Sequence, residues 1–295
     1  MAGRTARRRV LKVTLDGSPV TRHRADLLAT EEPLGIRLDG EALTMTMRTP
    51  GDDIDLAAGF LVGEAIVASQ HDIKEIKLCD GASCRHEHHG SSPGNHGHDD
   101  IGNIADITLA SGPAAAAGHA RRSFMTTSAC GVCGKTSIDD ICVLPRAPLA
   151  DDTTTFGAPA LADFPGKLRD AQKVFASTGG LHAAGLFTPD GDLLVVREDV
   201  GRHNAVDKLV GHALLNGMLP LAGHALMVSG RASFELVQKS VLAGIPLLAA
   251  VSAPSSLAAD LADEAGLTLV GFLRGTSMNV YTHDHRVTAE PGKTP

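Results

Sequence analysis

The order and character of the apolar segments predict an α/β protein, a layered sandwich with a mixed sheet preceded by a smaller β-rich subdomain. Three observations carry this. Strand-like runs rich in Leu, Val and Ala at 225–228, 247–251 and 267–272 alternate with helix-like segments at 233–243 and 256–265. Gly244 and Gly266 follow those two helices, where a left-handed C-cap belongs. Upstream of residue 128 the dominant pattern is instead the period-two alternation of half-buried strands.

Taken in order, residues 1–25 are basic and small and read as a flexible tail. The β-rich subdomain is assigned to 26–128. Within it, Ile36-Arg37-Leu38 and Leu43-Thr44-Met45-Thr46-Met47 flank Asp39-Gly40, a hairpin signal. Thr49-Pro50-Gly51-Asp52-Asp53 breaks the sheet and puts acids before a helix over 54–68, with Ala57, Phe60 and Leu61 on one face. Strands are expected at 73–78 and 104–109. Between them, 79–100 gathers Cys79, Cys84, His86, His88, His89, His96 and His98 among Gly, Ser, Pro and Asp, and reads as a loop or insertion.

The α/β subdomain is assigned to 129–290, with boundaries that one compact domain would also satisfy. The stretch 138–144 suits a strand in which Cys142 is a packed structural thiol, and 145–165 reads as a connection. Residues 184–187 and 193–196 flank Pro189-Asp190-Gly191, a second hairpin signal, and Val206, Leu209, Val210, Ala213 and Leu214 mark the apolar face of a helix.

Composition narrows the function. Among 295 residues there is no Trp, one Tyr and eight Phe, so stacking platforms for single-stranded nucleic acid are scarce. A net charge of -7 disfavours non-specific nucleic-acid binding, while local turns can still hold an anion. No apolar run approaches the roughly 20 residues of a membrane span. Five cysteines without a secretory leader suggest a reducing cytoplasm.

The most reactive stretch is Ser128-Ala129-Cys130-Gly131-Val132-Cys133-Gly134-Lys135. Thiols two residues apart do sulfur chemistry as thiolates, and Lys135, main-chain N–H groups or a helix N-terminus lower a thiol pKa from its usual ~8.5. The pair alone admits a redox dithiol, half a zinc site, a persulfide carrier, or two packed core cysteines. Cys79 and Cys84 would complete a four-cysteine zinc site.

Beyond the thiols, Arg197-Glu198-Asp199-Val200-Gly201-Arg202-His203-Asn204 and then Asp207-Lys208 crowd polar groups at a strand-to-helix junction, where open α/β sheets bind ligands. A charged loop with an exposed helix face is the plain alternative. Ser229-Gly230-Arg231-Ala232-Ser233 offers hydroxyls, backbone amides and a guanidinium before the next helix, and Ser252 to Ser256 repeats the arrangement. Phe272-Leu273-Arg274-Gly275-Thr276-Ser277 follows the last strand. Turns on consecutive βα units that line one edge suit a large polyphosphate ligand.

These motifs, with Glu31-Glu32-Pro33-Leu34, Thr49 to Asp53 and Ser233-Phe234-Glu235, occur in the order seen in the FdhD family, and the chain resembles it over roughly 31–282. The family comprises accessory sulfurtransferases of formate dehydrogenase. The resemblance implies a cytidine-deaminase-like fold, a homodimer and a cytoplasmic sulfurtransferase. It also implies that sulfur arrives from a cysteine desulfurase as a persulfide on Cys130, with Cys133 its partner. The acceptor implied is the Mo-bis(molybdopterin guanine dinucleotide) cofactor, bound as cargo and delivered to formate dehydrogenase. Its contacts are assigned to Phe272, Leu273, Arg274, Gly275, Thr276 and Ser277, with Ser229, Gly230, Arg231, Arg197, Asp199, Arg202, His203 and Asn204 as further candidates. No nucleic-acid, membrane or permanent metal ligand follows from it, and nothing carries over to the His-rich stretch.

Three rivals fit less well. A zinc deaminase requires His-x-Glu and Pro-Cys-x-x-Cys, but Ala129 stands at the proline position and no histidine is followed two residues later by Glu. A thioredoxin-like dithiol would place its pair near the start of a βαβ unit. A metal chaperone would use the same cysteines to hold an ion.

Overall fold

A computed structural model describes residues 3–17, 19–79, 103–111 and 149–289. Cys84, His86, His88, His89, His96, His98, Cys130, Cys133, Lys135 and Cys142 lie outside the described residues.

The chain opens with β1 (Thr5–Thr14) and β2 (Val20–Ala29), an unbroken antiparallel ribbon in the register Thr5↔Ala29 to Thr14↔Val20. This corrects the tail expected over 1–25. The basic residues hide a strand pattern in which Val10, Val13, Thr14, Val20 and Thr21 favour extended backbone, and Gly17 at φ 75° turns the chain.

Next come β3 (Glu32–Leu38) and β4 (Glu41–Arg48), joined by Asp39 and Gly40 at φ 51° and 85°, the left-handed pair that a tight hairpin requires. With β5 (Ile73–Cys79) and β6 (Ile104–Leu109) they form a four-stranded sheet in the order β4-β3-β6-β5. Between β4 and β5 lies α1 (Asp53–Gly63), shorter than the helix expected over 54–68 because Glu64 caps it and Ala65 turns left-handed. Buried Arg48 ties the hairpin to this helix, holding both Asp53 carboxylate oxygens at 2.9 and 3.1 Å.

The second half begins with the short β7 (Phe156–Gly157), α2 (Ala158–Ala171) and α3 (Lys173–Thr178). A helix therefore occupies much of the expected 145–165 connection. Its first proline sits in the opening turn, where no amide is needed, and burial of Leu161, Phe164 and Leu168 along one stripe offsets Pro165 inside it.

There follow β8 (His182–Phe187), β9 (Leu193–Asp199), α4 (Arg202–Leu215), β10 (Ala225–Val228), α5 (Phe234–Leu242), β11 (Leu247–Ala250), α6 (Ser256–Glu264), β12 (Thr268–Arg274), β13 (Ser277–Thr282) and β14 (Val287–Thr288). The six-stranded sheet runs β13-β12-β11-β10-β8-β9, with β10, β11 and β12 parallel and the other pairings antiparallel. The expected mixed α/β architecture is what forms.

Both faces of this sheet are covered, which is why β10 and β11 are apolar throughout. On one face Ala183, Phe187, Met227 and Ala249 meet α2, with Phe164 stacked on Phe187 at 4.0 Å between ring centroids. On the other, Leu186, Leu226, Leu248 and Leu269 share one buried cluster with α1, α4, α5, α6 and the inward side chains of β3 and β6. The described parts of the two halves thus share a core.

The closest approach inside that core is between α1 and α4. A Cβ added to Gly59 would lie 1.8 Å from the Asp207 carbonyl oxygen, and one added to Gly211 the same distance from that of Asp55. Backbone meets backbone, so neither neighbour can yield. Gly59→Ala and Gly211→Ala should each cost about 3 kcal/mol or more, since forced overpacking is destabilising even where side chains can move. Urea denaturation checks this; unchanged midpoints would mean that the helices do not pack this closely.

Candidate functional site

Strand direction places the polar turns together. Because β8 runs against both β9 and β10, strands β9 to β12, apart from β8, all point their C-terminal ends to one edge. The turns at 200–201, 229–233, 251–255 and 272–276 line that edge.

Backbone bonds lace them into a shelf. Ser229 donates its amide to Ala183 O at 3.0 Å and accepts the Ala183 amide on Oγ at 2.9 Å. Ser252 N donates to Gly230 O, Ser255 N to Ala232 O and Phe272 N to Ser252 O, all at 3.1–3.2 Å. The Arg274 Nε donates to Val251 O at 2.9 Å.

At the β8–α4 end of the shelf, the His203 Nε2 lies 2.5 Å from Glu235 Oε2 and 3.1 Å from Ser233 Oγ. Gly230 faces His182: a Cβ there would sit 3.4 Å from its Nδ1. Burial, then the neighbouring positive charge of Arg202 and of His203, holds the His182 pKa below its ordinary value. The Arg202 Nε and Glu235 Oε1 are buried and make no hydrogen bond among the described residues.

The candidate residues separate into two sets. Arg231, Phe272, Arg274, Gly275, Thr276 and Ser277 are exposed along the shelf, and Ser229, Gly230, Arg202 and His203 are half-buried behind them. Phe272 and Gly275 take left-handed φ of 51° and 53°, and the Arg274 guanidinium lies over the Phe272 ring at 5.5 Å.

Four others, Asp199, Asn204, Arg197 and Leu273, are engaged by the protein itself. Asp199 is fully buried and accepts from Thr49 N, Gly201 N and Asn204 Nδ2, at 2.9–3.0 Å, and lies 2.7 Å from Lys208 Nζ. Asn204 also donates to Met47 O at 2.7 Å and accepts from Thr46 Oγ1 at 3.2 Å. Arg197 turns onto the Asp55 carboxylate at 2.9 Å, and the Leu273 side chain packs in the core. Local sequence gives no sign of the distant partners Thr46, Met47, Thr49 and Asp55, which lie more than a hundred residues away along the chain. Sequence reasoning does not pick out His182 or Glu235; Glu235 has a signal in its place in the first turn of the helix that follows Ser229 to Ser233, whereas His182 has none.

A family model described as FdhD/NarQ matches residues 29–288, which contain the whole shelf and Cys130 to Lys135. The chain belongs to this family. Among similar proteins are two named sulfur carrier protein FdhD. The one from Streptomyces coelicolor is 55% identical over 96% of this chain and 95% of its own length. The one from Nocardia farcinica is 52% identical, covering 97% and 96%. The crystal structure of a protein assigned as a formate dehydrogenase accessory protein, from Desulfotalea psychrophila, has a TM-score of 0.71 at 24% identity, covering 96% of this chain and 99% of that one. At that identity it speaks for the fold. Among the described residues no helix is long and apolar enough to cross a membrane, and no cluster of His, Cys, Asp or Glu is arranged to hold a metal.

Two outcomes follow from the geometry. Asp199→Asn should cost about 3–5 kcal/mol, because it leaves the buried Lys208 ammonium without its counter-charge; chemical denaturation reads this, and a loss below 1 kcal/mol contradicts the arrangement. His182 favours its neutral form in the folded state, so its contribution to stability is present above the unfolded value near pH 6.5 and is lost as pH falls below it. His182→Gln should therefore flatten the stability profile as pH falls below about 6.5, measured by denaturation at each pH.

Proposed function

We propose that this protein is a sulfurtransferase that carries sulfur for formate dehydrogenase. The observation that carries the reading is its match, over almost its whole length, to sulfur carriers 50–55% identical to it, in a chain that holds two thiols separated by two residues at Cys130 and Cys133.

The chemistry that fits such a pair is persulfide transfer. The Cys130 thiolate attacks the outer sulfur of a persulfide on a cysteine desulfurase. The donor's S–S bond breaks, the donor leaves as a thiolate, and Cys130 holds the sulfane sulfur. For release, Cys133 attacks Cys130 Sγ, sulfide leaves toward the acceptor metal, and the resulting disulfide is returned to two thiols by a thiol reductant. Lowered thiol pKa values serve the first step, since the thiolate is the nucleophile.

The acceptor is the Mo-bis(molybdopterin guanine dinucleotide) cofactor, bound as cargo on the shelf and then passed to formate dehydrogenase in the cytoplasm. Its phosphates suit exposed Arg231 and Arg274 together with the amides of 230–233 before α5, and Phe272 offers an exposed ring. Asp199, Asn204 and Arg197 serve it indirectly by holding the turns in place. The reading brings with it a cytidine-deaminase-like core put to use for sulfur transfer instead of zinc hydrolysis.

The test is mass spectrometry of the intact chain after incubation with a cysteine desulfurase and cysteine. One added sulfur should map to Cys130, and Cys130→Ala should take up none and fail to activate formate dehydrogenase while remaining folded. A zinc ion held by those cysteines and no sulfur uptake would replace this reading with a structural metal site. Arg231→Ala and Arg274→Ala should each weaken cofactor binding about tenfold or more, as expected for loss of a charge-assisted bond, without affecting persulfide loading; equal loss of both readouts would argue against the shelf as the cargo site.

A further inference from the structure

The shelf carries one cluster that persulfide transfer and phosphate contacts leave unused. His203 stands second in α4 and Glu235 second in α5, so two helix starts deliver an imidazole and a carboxylate to neighbouring turns. At 2.5 Å, His203 Nε2 and Glu235 Oε2 are too close for two lone pairs to face one another, so a proton lies between them. The start of α4 is itself fixed by the Asp199 carboxylate through Gly201 and Asn204.

This cluster is not a hydrolase triad, although Ser233 Oγ stands 3.1 Å from His203 Nε2. In a triad the imidazole lies between its partners, taking the nucleophile's proton on one nitrogen while the carboxylate holds the other. Here serine and carboxylate meet the same nitrogen, and His203 Nδ1 makes no hydrogen bond among the described residues. What remains is an imidazole oriented by a carboxylate at one nitrogen and free to act at the other. Arg202 Nε and Glu235 Oε1 beside it are a buried donor and a buried acceptor without partners among the described residues, the kind of exception that functional clusters carry.

The sulfur-carrier reading, on which this inference rests, has a step that needs a proton on the shelf. A cargo metal that gains sulfide gives up the ligand in its place, and an oxo ligand leaves as water. One oxo ligand, one hydrosulfide and one proton give one sulfido ligand and one water. The metal–oxygen bond breaks, the metal–sulfur bond forms and no electron is transferred. Hydrosulfide brings one of the two protons in that water; the site supplies the second and regains it from solvent. The guanidiniums of Arg202, Arg231 and Arg274 do not give up protons. Burial, then the charges of Arg202 and His203, hold His182 toward its neutral form. Asp199 and Asp207 are buried against Lys208 and Lys239. His203 has Glu235 at hand to balance an imidazolium.

We propose that His203 is the proton donor for ligand exchange at the cargo metal and that Glu235 is its positioning residue.

Single-turnover transfer from the full chain tests this. Cys130 is loaded by a cysteine desulfurase with cysteine, the donor is removed, and isolated Mo-bis(molybdopterin guanine dinucleotide) is added. Mass spectrometry follows sulfur onto the cofactor, and absorbance titration gives its affinity. His203→Gln should load normally and bind cofactor within about twofold of the unmodified chain, yet transfer about 100-fold more slowly, as for loss of a positioned acid. Glu235→Gln should slow transfer about tenfold, again with little change in affinity. His203→Ala should regain at least about tenfold in rate when imidazole is added, a rescue that a purely structural role does not allow. Undiminished transfer in His203→Gln, a loss of affinity as large as the loss of rate, or a folded His203→Ala that imidazole does not restore would overturn the inference and leave sulfur carriage standing. An unmodified chain that takes no sulfur on Cys130, or binds no cofactor, would overturn both.

Discussion

The structure depends on one buried charge. Asp199 brings a carboxylate to a place without water, an arrangement that costs several kcal/mol unless every lone pair is met. Here a lysine ammonium and three N–H donors meet it, and the partners come from three parts of the chain: Thr49 after β4, Gly201 in the turn, and Asn204 and Lys208 on α4. Lys208 in turn donates to Thr49 O at 2.8 Å. The end of β9, the start of α4 and the end of the N-terminal hairpin are therefore one unit. Arg202 and His203 emerge from that unit onto the shelf, so their positions are set by a charge buried beneath it.

The same charge shows why some of the molecule was legible in sequence and some was not. Backbone chemistry is local: Asp39-Gly40 announces its hairpin, Gly244 and Gly266 close their helices at φ 74° and 75°, and both-face burial leaves β10 and β11 uniformly apolar. Which charge faces which is not local. In the run from Arg197 to Lys208 every polar residue looked equally available, yet Arg197 answers Asp55 and Asp199 answers Thr49, partners 142 and 150 residues away. The shelf was readable as turns after strands; the division of those turns into ligand-facing and scaffold-facing side chains required the fold. The ribbon failed for a different reason, since arginines between valines lower the apparent apolar period without preventing extended backbone.

That division also reconciles an acidic protein with the anionic cargo proposed for it. Several acids near the shelf are neutralised inside the protein: Asp199 by Lys208, Asp207 by Lys239 at 2.6 Å, Asp55 by Arg197. The exposed charge left along the edge is then that of Arg231 and Arg274, which is the sign that phosphate oxygens need.

The anchoring of the segment that carries Cys130 and Cys133 follows the same logic. The described chain leaves the four-stranded sheet at Leu109, whose amide is held by Asp39 Oδ1 at 3.1 Å, and Ala110 N is held by Asp72 O at 2.8 Å. It returns at Leu149, whose carbonyl accepts from the buried Arg286; that guanidinium also donates to Asp152 O and Gly266 O. The described chain on either side of the thiol-bearing segment is thus fastened to the shared core. A carrier must offer one sulfur first to a donor protein and then to a cargo, and the two encounters can share a geometry only if the attachment points do not move between them. Placing the rigidity in the anchors, with the turns proposed to take the cargo fastened to the same core, meets that requirement.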